Sequence, residues 1–236
     1  MEEIKYPMRI NKYLAHKNIC SRREADKLIG EGRILINGKP AKLGDKVDEK
    51  DVVTAKAGPE ESRVYLAFNK PKDVITHSPQ GGEVSISEII GFPKKVFPVG
   101  RLDKDSHGLI ILTNDGRVTG KLLSPEQGHE KEYVVRADKP IDARFVRKMA
   151  SGVVLDDGYK TKECKVAKIS TNTFSITLTE GKNRQIRRMC GFFGYAVTDL
   201  KRVRIMNIEM GGLKVGQYRK IKGEELKRFL SELGLA

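Results

Sequence analysis

The sequence predicts an α+β protein with a largely antiparallel mixed sheet, preceded by a small α/β module. Three observations carry that expectation. β-rich runs recur through the chain, the clearest being TFSITLTEG, where Phe174, Ile176 and Leu178 alternate with polar residues. Helical patterns interleave with these runs irregularly. The stretch AKAGPEESR, residues 55–63, holds Gly58, Pro59 and a charged cluster without apolar periodicity, so it reads as a linker. The chain therefore divides into a module over 1–58, a connection over 59–63 and a larger domain over 64–236.

In the module, Ile10, Tyr13 and Leu14 recur at helical spacing on RINKYLAHKN. A second helix starts at Ser21. Its SRRE is a capping box in which Ser21 caps the helix and Glu24 reaches back, while Ala25, Leu28 and Ile29 form the buried stripe. Gly30 and Gly32 close it. Asn37 and Gly38, between the short β-rich runs of RILINGKPAKLGDKVDEKDVV, predict a hairpin whose turn takes positive φ. Beyond the linker, VYLAFNKP is a strand ending before Pro71, and SISEIIG opens a helix with a second capping box, Ser85 and Glu88. Strands follow in GLIILTNDG, EYVVRAD, TKECKVAKIS and TFSITLTEG. The remaining helices are GRVTGKLL, DARFVRKMASG, NRQIRRMCGFFG and the terminal EELKRFLSELG.

Composition narrows the function. No apolar run approaches the roughly 20 residues of a membrane-spanning helix, and MEEIKYPMRI lacks the apolar segment of a secretory signal, so a cytoplasmic protein is expected. Cys20, Cys164 and Cys190 are odd in number and far apart, which fits core thiols better than disulfides or a zinc site. A net charge of +14 attracts a polyanion such as nucleic acid; alone, it suits an anionic membrane surface too. The spacings GxxxxGK[ST], GxGxxG and HExxH are absent, as is the deaminase pattern. His16, His77, His107 and His129 stand singly, and no metal is expected. Nothing in the pattern calls for a dimer, so a monomer is expected.

Two segments can carry a reaction, GRLDKDSHGL at 100–109 and GKNRQIRRMC at 181–190. If Asn183 caps the second as a helix, Ile186, Met189, Cys190 and Phe193 form its buried face, and Arg184, Arg187 and Arg188 project together. A carboxylate beside an arginine stays ionised, the state that a nucleophile or base requires. Asp103 and Asp105 both qualify; Asp105, next to Ser106 and Gly108, equally suits a turn-forming role. Arg22 and Arg23 sit at a helix start, where positive charge is disfavoured by about 0.3–1 kcal/mol each. A bound phosphate offsets that cost, although two solvated arginines fit the same residues.

The stretch RINKYLAHKNICSRREADKLIGEGRILINGK resembles the alpha-L RNA-binding motif over most of residues 8–54. GRLDKDSHGLIILTNDG resembles the signature of pseudouridine synthases, in the branch that modifies ribosomal RNA and carries that module. NKP at 69–71, HEKEYVV at 129–135, GKNRQIRRMC and RVRIMNI at 202–208 extend the resemblance over nearly the whole chain, with details most similar to the F type acting on large-subunit rRNA. A basic extension that some relatives carry is expected to be missing after Ala236, and with it any RNA contact such a tail makes.

The resemblance implies a pseudouridine synthase fold and a cofactor-free isomerisation, in which the C1′–N1 bond of uridine breaks, the uracil turns, and C1′ joins C5. Asp103 is the implied catalytic residue, attacking the ribose or removing a C2′ proton. Arg187 is its implied ion-pair partner, with Arg184 the second choice. Tyr133 is expected to pack on the detached uracil and Ile186 to line the pocket, above Lys70 and Pro71 as structural support. Extruding the target base costs a few kcal/mol, and Arg101 is placed to fill the gap or grip the flanking backbone. Arg188, with Arg184, is expected on phosphate; Arg9, Lys12, Arg22, Arg23, Lys27 and Lys39 supply a sequence-independent grip. The expected partner is large-subunit rRNA. Small-subunit rRNA or a tRNA anticodon stem are alternatives, and the rival from another class is a non-catalytic ribosome-assembly protein.

Overall fold

A computed structural model describes residues 6–17, 19–55, 63–77 and 79–235. Of the connection expected at 59–63, all but Arg63 lies outside the described residues.

The first elements are β1 (Met8–Arg9), α1 (Ile10–His16), α2 (Arg22–Gly30), β2 (Ile34–Ile36), β3 (Lys39–Pro40), β4 (Lys46–Val47) and β5 (Val53–Ala55). The Ser21 capping box forms: the Glu24 N–H donates to Ser21 Oγ at 3.2 Å, and the Ser21 N–H donates to Glu24 Oε2 at 3.5 Å. Asn37 (φ +51°) and Gly38 (φ +78°) make the two-residue turn that sets Ile36 opposite Lys39. Ile10, Leu14, Ala25, Ile29, Ile34 and Val47 close a core of their own beneath these elements.

The rest builds one large sheet. Its elements are β6 (Tyr65–Lys70), α3 (Ile86–Ile89), β7 (Phe97–Val99), β8 (His107–Thr113), α4 (Gly116–Leu123), β9 (Lys131–Ala137), α5 (Ala143–Ala150), β10 (Lys165–Lys168), β11 (Thr173–Leu178), α6 (Gln185–Phe192), β12 (Val197–Ile205), β13 (Ile208–Glu209), β14 (Tyr218–Lys220) and α7 (Gly223–Glu232). The strand order is β10-β11-β9-β12-β8-β6-β14, with β7 on β8 and β13 on β12. Every pairing is antiparallel except β8 with β12, joined only at His107–Lys201 and Gly108–Arg202.

That parallel join is a seam between two cores. On one side β6 and β8 are buried on both faces: Leu66, Phe68, Ile110 and Leu112 point into one cluster, Ala67, Leu109 and Ile111 into another with Phe229 of α7. On the other side, Phe174, Ile176 and Leu178 of β11 alternate onto one face and meet Phe145, Met149, Ile186 and Met189 from α5 and α6. Gly108 makes the seam possible. Its φ is +102°, and a Cβ there would collide with the Arg202 carbonyl oxygen and lie 2.8 Å from the Arg202 nitrogen.

One local expectation changes, and one long strand appears where none was expected. Helix α6 begins at Gln185, with Arg184 as its N-cap residue in the left-handed region (φ +48°), so Asn183 is not the cap. The reason is the Gln185 side chain: its oxygen accepts the Lys182 N–H at 2.9 Å and its nitrogen donates to Glu180 Oε1 at 2.7 Å, folding residues 180–185 back before the helix can start earlier. Strand β12 is nine residues long, yet its charged residues hide the alternation.

Candidate active site

The segment before β8 is a bracketed turn. Gly100, at φ +78°, starts it. The Asp103 carbonyl accepts the Ser106 N–H at 3.1 Å, which puts Asp103 first in a four-residue turn, a position that aspartate favours. The Thr76 hydroxyl pins Leu102, donating to its carbonyl at 2.7 Å and accepting its N–H at 3.1 Å. Lys70 is fully buried and donates to the carbonyls of Pro71 at 2.9 Å and Val74 at 2.5 Å. The loop so held offers the Asp73 N–H to the Lys104 carbonyl at 2.8 Å. Burial pushes the Lys70 ammonium down to about 8, against the pull of Asp73, Asp103 and Asp105.

Helix α6 meets this turn across the seam. Arg184 and Arg187, three residues apart, share a face and reach the same place. Arg184 Nη2 lies 3.1 Å from Asp105 Oδ2 and its Nη1 lies 3.8 Å from Asp103 Oδ2. Arg187, 14% exposed, sits 3.1 Å from Asp105 Oδ2 and donates to the Asp105 carbonyl at 3.2 Å, Ser106 Oγ at 3.3 Å and the Val197 carbonyl at 3.0 Å. The expected ion pair is thereby corrected: Arg187 holds Asp105 and the turn's backbone, and the guanidinium nearest Asp103 belongs to Arg184. Asp105 intercepts Arg187 because the turn carries its carboxylate outward toward α6. Partial burial raises the Asp105 carboxyl, but the Arg184 hydrogen bond and both arginine charges outweigh it and hold the group below its ordinary value.

Asp103 faces elsewhere. Its side chain, 31% exposed, lines a cleft of about 460 Å³ that Asp105, at 47%, does not line. Arg101, Tyr133, Arg184 and Ile186 line the same cleft, as do Lys131 and Arg202. Arg188 does not. It is engaged by Asp156, with Nε to Oδ1 at 2.5 Å, and by Asp157 at 2.9 Å, so it is not the free phosphate ligand expected of it. Arg9, Lys12, Arg22, Arg23, Lys27 and Lys39 are all exposed on the first unit, with Lys27 3.8 Å from Glu31. A second hollow, lined by Glu130, Arg147, Glu163 and Cys164, contains none of the expected residues.

Lys131 and Arg202 are cleft residues that residue-type reasoning missed, and Arg202 is the more enclosed of the two. Arg202 is 4% exposed, donates from Nε to the Leu109 carbonyl at 2.7 Å and from Nη1 to the Arg101 carbonyl at 3.5 Å, and so ties β12 to the turn. Its Cζ lies 5.9 Å from the Tyr133 ring centre. The signal available for Arg202 was its place in RVRIMNI, where two arginines stand in an otherwise largely apolar run.

Comparison with known proteins adds the chemistry's name. Residues 64–191 match the family model described as RNA pseudouridylate synthase, and residues 8–53 match the S4 domain. The chain is similar to the dual-specificity RNA pseudouridine synthase RluF of Escherichia coli K12, at 46% identity over 93% of this chain and 77% of that protein. It is also similar to the ribosomal large subunit pseudouridine synthase B of Bacillus subtilis, at 36% identity over 93% of this chain and 94% of that one. A solved pseudouridylate synthase aligns over 96% of this chain and 99% of its own, with a TM-score of 0.70 and 26% identity.

Proposed function

The chain belongs to the RNA pseudouridylate synthase family, and from that premise we propose that its cleft isomerises a uridine of large-subunit ribosomal RNA, with Asp103 as the reacting carboxylate. The observation that carries this reading is the shared wall: Asp103 lines the same cleft as Tyr133 and Ile186, with a guanidinium 3.8 Å away. Of the two candidate acids, Asp105 is consumed by Arg184 and Arg187, which leaves Asp103 the one turned toward substrate.

The target nucleotide is extruded from its RNA and seated with its sugar against Asp103 and its base against Tyr133. The carboxylate then attacks C1′ or takes a proton from C2′. Both routes need the anion, and both release the uracil for rotation. Tyr133 and Ile186 hold the freed base near C1′ until C5 bonds. Arg187 acts on Asp103 indirectly, by fixing the turn that carries it; Arg184 supplies the nearer charge, and Arg101 grips the displaced backbone. No cofactor enters the sequence of steps.

Residues 1–58 form the RNA-binding module in this reading and 64–236 the catalytic domain. Arg9, Lys12, Arg22, Arg23, Lys27 and Lys39 contact phosphates, giving affinity without sequence preference, while an RNA loop's shape and splayed bases select the site. The protein works as a cytoplasmic monomer. A tRNA anticodon stem or small-subunit rRNA is the alternative target.

Tritium release from C5-labelled uridine in rRNA tests the assignment. Release by the wild type that vanishes with Asp103→Asn supports it. No release from any rRNA transcript favours an RNA-binding assembly protein instead. Mapping pseudouridines in RNA from a deletion strain identifies the target.

A further inference from the structure

Among the cations that line the cleft, Lys131 and Arg202 stand together on the wall that holds Tyr133, and neither has a carboxylate within ion-pair distance among the described residues. Lys131 and Tyr133 are two apart on β9 and so point to one face of the sheet; Arg202, on β12, is the direct cross-strand partner of Tyr133 and shares that face. Lys131 donates only to the His129 carbonyl, at 3.2 Å, and the Arg202 Nη2 is buried with no hydrogen-bond partner. Burial, reinforced by the Arg202 charge, pushes the Lys131 ammonium down to about 8. Holding unneutralised positive charge in a half-enclosed wall is costly, and the cost is offset only when negative charge arrives.

The proposed reaction produces such a charge, and the inference rests on that reading. When C1′–N1 breaks, the bonding pair leaves with the base. Asp103 either bonds to C1′ or takes the C2′ proton as a C1′–C2′ double bond forms, and the negative charge it gives up reappears on uracil, shared among N1, O2 and O4. When C5 bonds to C1′ the carboxylate is regenerated. C5 later loses its proton as N1 gains one, so the sum is an isomerisation. We propose that Lys131 donates a hydrogen bond to a carbonyl oxygen of the departing uracil, with the Arg202 charge fixed behind it, and that this pair stabilises the uracil anion. Lys131 is the catalytic residue of the two; Arg202, enclosed and tied to Leu109 and Arg101, is a positioning residue that keeps the second charge in place.

The test is single-turnover cleavage of the C1′–N1 bond, read as loss of the starting nucleoside after digestion, on rRNA transcripts made with uridine or with 5-fluorouridine. Fluorine withdraws electrons and makes uracil a better leaving group, so a variant deficient in anion stabilisation should recover on that RNA. Lys131→Met should lower the rate on uridine RNA about 10²-fold or more, the range seen when one donor to a developing anion is removed. RNA affinity should stay unchanged. The loss should shrink at least about tenfold on 5-fluorouridine RNA, and Lys131→Arg should recover most of the rate. Lys131→Gln repeats the measurement with a neutral donor should the methionine variant misfold. A Lys131→Met rate equal to wild type, or an equal loss on both RNAs, overturns the inference while leaving the reading of Asp103 intact. Absence of any wild-type turnover overturns both.

Discussion

Arg22 and Arg23 stand exposed at the start of α2, and neither has a carboxylate within ion-pair distance among the described residues; Arg187 and Arg202, in the larger domain, are enclosed and tied to the backbone around the turn. An exposed guanidinium is screened by salt and free to meet any phosphate that passes. An enclosed one is held in one geometry by what surrounds it, and its charge acts through low dielectric. The same residue type is therefore suited to affinity in the first region and to position in the second. Substitutions in the two regions should fail in different measurements.

The largest effect should come from the acid that the second region positions. Asp103→Asn should reduce turnover at least about 10⁴-fold, the scale on which removal of a reacting group is felt, with RNA affinity within about twofold of wild type. A matching loss of affinity in a filter-binding assay would mean that the two regions are not separable. Next is Arg187→Met. It removes the bonds to the Asp105 carbonyl and Ser106 Oγ and should cost about 10²- to 10³-fold in kcat, with little change in KM. A smaller effect for Arg187→Met than for Arg184→Met would break the distinction, because the Arg184 side chain is 46% exposed and its pair with Asp103 is loose. Asp105→Asn should lower kcat only about tenfold, since the backbone contacts of Arg187 survive it. The smallest change is expected in the first region: Arg22→Ala and Arg23→Ala should each weaken binding a few-fold, and each should reduce the slope of log K against log salt by about one, with single-turnover rate at saturating RNA unchanged.

What the sequence could disclose followed the range of the interaction. The Ser21 capping box and the Asn37–Gly38 turn are settled within four residues and were legible as written. So was the burial stripe of Ile186, Met189 and Cys190, a matter of helical spacing. The grip of Arg187 on Asp105 joins residues 82 apart, and no spacing rule reports it. Asn183 seemed the natural cap of α6 by residue type; a glutamine side chain tied to Glu180 moved the start of the helix. Strand β12 escaped because Asp199, Lys201, Arg202 and Arg204 interrupt its apolar pattern, and one of those charges is buried for reasons that lie on the neighbouring strand. In this molecule the local chemistry was readable and the charged seam was not.

Gly108 never meets the RNA in the proposed reaction, yet neither its dihedral angle nor its clearance from the Arg202 backbone admits a side chain. In a saturation library it should tolerate none of the other nineteen amino acids, like the acid five positions upstream. Intolerance at the two positions has unlike origins, a missing nucleophile or base at one and a sheet forced apart at the other. Activity screens alone would merge them, whereas soluble yield would tell them apart.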